Sequence, residues 1–306
     1  MPGGVIATSN HPKLLWPGIH AIWGQMYTGY PDQYTDLYEI EDSTRAYEQD
    51  VQVTGFGLAP IKGQGAPVTY DSENQGFVTT YTHVAYALGY IVTKEELEDN
   101  QYEEVSMRRA KANAFSMHQT VETVAAFLYN TAFSSSYFTT GDGQPLISAS
   151  HINATGGTFS NTLTTAADLS EAALEDACIA IMGTQTDRNL LISVLPESLH
   201  VHRQEWFNAN RIMKSVLQSN SAGNNINVLK ATNAFPKGIK LNQYFASPYA
   251  WFVRTNCPNG MQMFWRTRPE FDKDNDFDTK NAKAASYMRF SVGCTDPRGI
   301  FGVNGP

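Results

Sequence analysis

Between Thr93 and Phe133 the chain carries a helical pattern of about 40 residues that no proline interrupts. Thr93 opens it as the N-cap of a TKEE capping box, with Glu96 three residues on and acids crowding the first turns, where the helix dipole favours them. Val105, Ala110, Ala114, Met117, Val121, Val124 and Leu128 then recur at spacings near three and four, one apolar stripe on one face. Unbroken, such a helix is a rod of about 60 Å, several times the length of an ordinary globular helix. A domain containing it has to be built along it, so the pattern predicts a spine.

Upstream of the spine the pattern is that of strands. QDVQVTGFG alternates with period two, and GFVTTYTHVAYALGYIV is rich in β-branched and aromatic residues. Between them Pro60, Gly63, Gly65 and Pro67 punctuate a loop tip, and DSENQG adds a turn. Much of this unit is polar on both faces, which predicts a long hairpin that projects from the body and needs something to lie on. Earlier still, Pro12, Pro17 and Pro31 forbid a long regular element, yet Trp16, Trp23, Tyr27, Tyr30 and Tyr34 are too apolar for a free tail. Such an arm lies across its own domain or a neighbouring subunit, and we read it as lying on the neighbour.

Downstream, Ser170 to Met182 reads as a second helix, with Leu174, Ala177, Cys178 and Ile181 on one face and Gly183 as its stop. NLLISVLPESLHVH reads as strand, turn, strand, and RQEWFNANRIMKSVL as a helix. KGIKLNQYF, YAWFVRT, GMQMFWRT and SYMRFSVG follow as strands. A hairpin, a long helix, a mixed middle and late strands predict an α+β fold with a body and projecting arms.

Charge narrows the function. With 22 basic and 30 acidic residues the chain carries −8 at neutral pH, the wrong sign for a protein that grips nucleic acid through its phosphates. A container that merely surrounds nucleic acid is compatible with it. Cys178, Cys257 and Cys294 are far apart and form no CxxC pair, so they are read as reduced thiols of a cytoplasmic chain. The N-terminus lacks a signal-peptide pattern, and no apolar run approaches the roughly 18 residues of a membrane span.

The segment from Gly141 to Gly157, GDGQPLISASHINATGG, brings Asp142, Ser148, Ser150 and His151 together. A Ser–His–Asp hydrolase would need them in one geometry, but no GxSxG elbow is present, and GDG and TGG mark turns. His200 and His202 alternate in a strand and share a face without a third ligand at a telling spacing. The acidic run from Pro269 to Thr279 lacks the glycine and terminal glutamate of a calcium loop and reads as a solvated turn. GFGLAP is no phosphate cradle, since no helix follows it. We expect no catalytic residue, no metal site and no cofactor, and therefore an assembling protein.

The stretch EDSTRAYEQDVQVTGFGLAPIKGQGAPVTYDSENQGFVTTYTHVAYALGYIVTKEE resembles the extended hairpin and spine-helix entry of tailed-bacteriophage major capsid proteins. DGQPLISASH resembles their segment after the spine, and LPESLHVHRQEWFNANRIMKS their strand-then-helix unit in the axial domain. PEFDKDNDFDTKNAKAASYMRFSVGCTDPRGIFG resembles their closing segment. The matches run in order along the chain and are most similar to a Mu-type major head subunit.

The resemblance implies an N-terminal arm at 1–45, an extended loop at 46–92, and a peripheral domain with the spine at 93–165. It implies an axial domain at 166–278, and at 279–306 a strand returning to the peripheral domain before the chain ends. It also implies hexamers and pentamers closing into an icosahedral head shell around double-stranded DNA, assembled in the host cytoplasm. The expected partners are copies of itself, a separate scaffolding protein, a portal and a decoration protein, with no sequence-specific DNA contact and no membrane. Trp16, Trp23, Tyr27, Lys62, Gln64, Glu73, Arg108 and Arg109 are the expected inter-subunit contacts, and Lys62 is a candidate crosslink. The alternatives are an encapsulin-like nanocompartment shell and a hydrolase using Asp142, Ser150 and His151.

Overall fold

The computed structural model describes residues 16–98, 102–218, 225–276, 279 and 281–305, with backbone alone at 16–19, 97–98 and 102–106. The first fifteen residues, and the Trp16 and Val105 side chains, lie outside the described residues. The fold is α+β, and two four-stranded sheets organise it.

The first sheet has the order β1 (Glu39–Asp42), β10 (Met261–Asn275), β11 (Ala282–Cys294), β4 (Val84–Val92). Its two long central strands run antiparallel, with bulges around Thr267 to Glu270. Pro269 lies there, beyond the reach of β1, where its missing N–H breaks no ladder on that side. The acidic run is thus a correction to the expected turn: most of it continues β10, and Phe271 in its midst is buried. Charges on the outward positions hid a period-two strand. β10 also belongs with the spine and not, as expected, with the later domain.

The spine helix is α4 (Tyr102–Asn130), 29 residues or about 44 Å. Its stripe of Ala110, Ala114, Met117, Val121, Ala125 and Leu128 is buried in the main core. The single rod from Thr93 does not form. A short α3 (Lys94–Glu98) comes first, Thr93 Oγ1 accepting the Glu96 amide at 3.3 Å as the capping box requires. Arg109 grips Glu96 at 2.9 and 3.0 Å. Thirteen residues along one straight helix would separate them by about 20 Å, so α3 folds back beside α4.

The arm is the second correction. α1 (Trp16–Thr28) and α2 (Tyr34–Leu37) pack on the chain's own spine. Trp23 is 4% exposed, stacks on Phe271 and donates its indole N–H to Asn113 Oδ1 at 2.9 Å. Tyr38 donates to the Ala125 carbonyl at 2.6 Å, and Tyr129 to the Leu37 carbonyl at 2.9 Å. A large ring with one polar atom is cheapest to bury where that atom finds a partner, and the spine supplies it.

The second sheet has the order β12 (Ile300–Asn304), β9 (Ala250–Thr255), β7 (Pro196–His202), β8 (Gly238–Asn242). α5 (Glu171–Met182) is capped by Ser170 and stopped at Gly183, as its sequence predicts. It packs with α6 (Trp206–Lys214) and α7 (Val228–Ala231) over one face of this sheet in a second core. β9 alternates between the cores: Ala250 and Phe252 face the spine, Trp251 and Val253 face α5. The strand expected at NLLISVL is reduced to a single bridge between Gln185 and Leu191.

The hairpin is β2 (Tyr47–Val53) paired with β3 (Gln75–Thr82). It ends sooner than expected, because β4 pairs with β11 and joins the main sheet.

Candidate assembly surfaces

At the hairpin's base, the Tyr81 hydroxyl meets Thr295 Oγ1 at 2.6 Å, and the ring occupies space only Gly293 leaves open. A Cβ at Gly293 would lie 2.6 Å from Tyr81 Cε1. Arg188 donates to the Ser72 carbonyl at 2.6 Å and pairs with Asp71 at 3.6 Å, fastening the returning strand to the second-sheet body. A cleft of about 530 Å³ opens between hairpin and body, lined by Val51, Val53, Asp187, Asn256 and Thr295.

The tip carries no strand pairing from Gly55 to Glu73 and is exposed apart from half-buried Gly57. Leu58 is 82% exposed and Tyr70 91%; Phe56, Ile61 and Val68 are exposed beside them. Five large apolar side chains stand exposed together on this one segment, more than the scattered single apolar residues of an ordinary surface. Sequence reasoning chose the polar tip residues Lys62, Gln64 and Glu73, which are exposed there. It missed the apolar ones, although apolar residues interleaved with Gly and Pro are visible in GFGLAPIKGQGAPVTY.

The other expected contacts are placed differently. Trp23 is spent on the chain's own core, and Tyr27 is half-buried against Trp23 and His118. Arg109 pairs with Glu96 within the chain, whereas Arg108 is exposed.

The loop after the spine forms a buried polar network. β5 (His151–Ile152) and β6 (Thr158–Phe159) make a small ribbon. Asp142 Oδ2 accepts from His151 Nδ1 and from the Ile152 amide, both at 2.9 Å, and its Oδ1 accepts from the Thr140 hydroxyl. Burial alone would raise the Asp142 pKa. The bonds from His151, Thr140 and Ile152, with the His151 charge, outweigh it and hold the carboxyl well below the usual range.

His151 stacks on Phe159, and the Arg298 guanidinium covers the same ring 4.2 Å from its centroid. Arg298 donates to Asn153 Oδ1 and Asp187 Oδ1, both at 2.8 Å, and to the Gln185 carbonyl at 2.9 Å. This network ties the ribbon, the α5–β7 loop and the closing segment together. It forms no triad: His151 Nε2 is buried without a partner, and Ser150 is exposed with its amide bound to Ser148 Oγ. His200 donates to or accepts from Ser198 Oγ at 2.8 Å, and burial, then Arg254 and Lys240, push its pKa down to about 3. His202 Nδ1 accepts the Gln204 amide, so the pair holds local backbone and side-chain groups. Cys178, Cys257 and Cys294 are free and buried. No described helix is long and apolar enough to cross a membrane.

A family model described as phage capsid protein matches residues 76–303, more than half of the chain. The chain belongs to the phage capsid protein family.

Solved structures agree on the fold of this capsid protein. The capsid of cyanophage P-SCSP1u matches with a TM-score of 0.53 at 10% identity, over 90% of this chain and 88% of that one. The capsid of Myoviridae phage XM1 matches at 0.50 and 13% identity, over 87% and 90%. A virus-like particle from Pyrococcus furiosus matches at 0.52 and 9% identity, over 94% and 99%. Among curated proteins, no sequence matches this chain. The chain is a phage capsid protein, and its place is the shell of the virion.

Proposed function

We propose that this capsid protein is the major subunit of a tailed-phage head and associates through its hairpin. The apolar tip at Phe56, Leu58, Ile61, Val68 and Tyr70 lies over a neighbouring copy, with Lys62, Gln64 and Glu73 as its polar rim. The exposed apolar surface of that projecting segment carries the reading. Hexamers and pentamers close the shell around double-stranded DNA, and the net charge of −8 lets the chain contain DNA without gripping it. The first sheet with the spine is the peripheral domain, and the second sheet with α5 to α7 the axial one. Scaffolding, portal and decoration proteins are its partners during assembly in the host cytoplasm, and the subunit itself performs no catalysis. The order of the segments supports a Mu-type head subunit. A cargo-holding nanocompartment would use the same fold, but the family match favours the phage head.

Replacing Leu58, Ile61 and Tyr70 together by Ser separates folding from assembly. The variant should keep the wild-type unfolding free energy to within about 1.5 kcal/mol, since exposed positions change it by about 0.5 kcal/mol each or less. Its particle yield should fall at least tenfold in sedimentation. Wild-type yield from that variant would refute the hairpin's role.

A further inference from the structure

Asp32, between α1 and α2, and His118 and Glu122, one turn apart on α4, bring an oxygen, a nitrogen and a second oxygen within 4.8 Å of one another. From these residues we infer a binding site for a divalent transition-metal ion of the zinc type, bridging the arm to the spine. His118 Nε2 lies 3.1 Å from Asp32 Oδ1 and 3.9 Å from Glu122 Oε1. Bonds of about 2.1 Å at tetrahedral or octahedral angles put ligand atoms about 3.0–3.4 Å apart, so His118 and Asp32 already stand at that separation and Glu122 has to draw closer.

Glu122 is fully buried, and its Oε2 has no hydrogen-bond partner, while Oε1 accepts the Gln33 amide at 2.7 Å. His118 is as deeply buried, its ring packed between Tyr27 and Tyr30, and its Nδ1 is also unpartnered. The Tyr27 hydroxyl is a third buried orphan beside the two carboxylates. Of these, the Glu122 oxygen is the one an ion in the cluster would satisfy, and a buried carboxylate oxygen left unpaired is expensive.

A dication offsets both carboxylates at once. A mixed imidazole and carboxylate set selects a transition ion over calcium or magnesium, which prefer oxygen alone. Coordination takes the Nε2 lone pair, leaves the ring proton on Nδ1 and gives any second proton to solvent. Asp32 is the exposed member, 44% at its side chain, and provides the way in. The ion would brace the segment that leads from α1 into α2 against α4. This site stands independently of the capsid reading.

The test is a zinc titration by calorimetry on the tag-free full chain, with cobalt absorption as the second readout. The wild type should bind one equivalent saturably and, with cobalt, develop the intense visible bands of a low-symmetry site. Asp32→Asn changes an exposed atom and Glu122→Gln is isosteric, so both should fold. Each should weaken zinc at least tenfold, since even outer-sphere changes cost that much at a metal site. Absence of saturable binding to wild type, or equal affinity in wild type and both variants, would overturn the inference.

Discussion

Asp142 shows how a residue that looks catalytic in sequence becomes structural in space. Its carboxylate receives four hydrogen bonds from Thr140, Gln144, His151 and Ile152, which fix the turn and the ribbon after the spine. Asp142→Asn turns an amide N–H toward some of those donors and should cost about 1–3 kcal/mol in denaturant unfolding of the unassembled chain. Because the folded pKa is depressed, the wild type's advantage is fully present above the unfolded carboxylate value of about 4. It is lost as pH falls from there towards the lower folded value. A wild-type advantage that grew on acidification would contradict this. The sequence already placed Asp142 and His151 nine residues apart in one loop, and they do meet; the serines stay out because Ser150 faces solvent. Arg298 was not legible, because its partners Asn153, Asp187 and Gln185 come from segments more than a hundred residues away.

Elements with a strong period were read best. The spine stripe, the helix from Ser170 and the late strands form where their spacing puts them, since one buried face dominates each. Elements whose partner is distant were read worst. The arm's aromatic residues show that it is covered but not by what, and Asn113 supplies the answer. Its Oδ1 accepts from Trp23 and Ser286, and its Nδ2 donates to the Leu88 carbonyl at 2.9 Å, joining arm, spine, β4 and β11. Asn113→Ala should leave those buried groups unpaired and lower stability by about 2–3 kcal/mol, read as a shifted denaturant midpoint at unchanged slope. An unaltered midpoint would show that the arm does not depend on this contact. His118 and Glu122 were available as an i, i+4 pair on the spine, but Asp32 is 86 residues from His118, and only the folded arm brings it near.

At the scale of the molecule, the body holds its own arm and leaves the hairpin tip without cover. Two cores share β9, so the sheets are mechanically joined, while five apolar side chains project beyond them. Under the proposed assembly, that exposed surface is where further copies make contact. The most direct test is negative-stain electron microscopy of the purified chain, with light scattering after size exclusion and with scaffolding protein supplied where needed. Closed shells, or rings of five and six subunits, are the predicted result. A chain that stays a monomer or dimer under all these conditions would contradict the account.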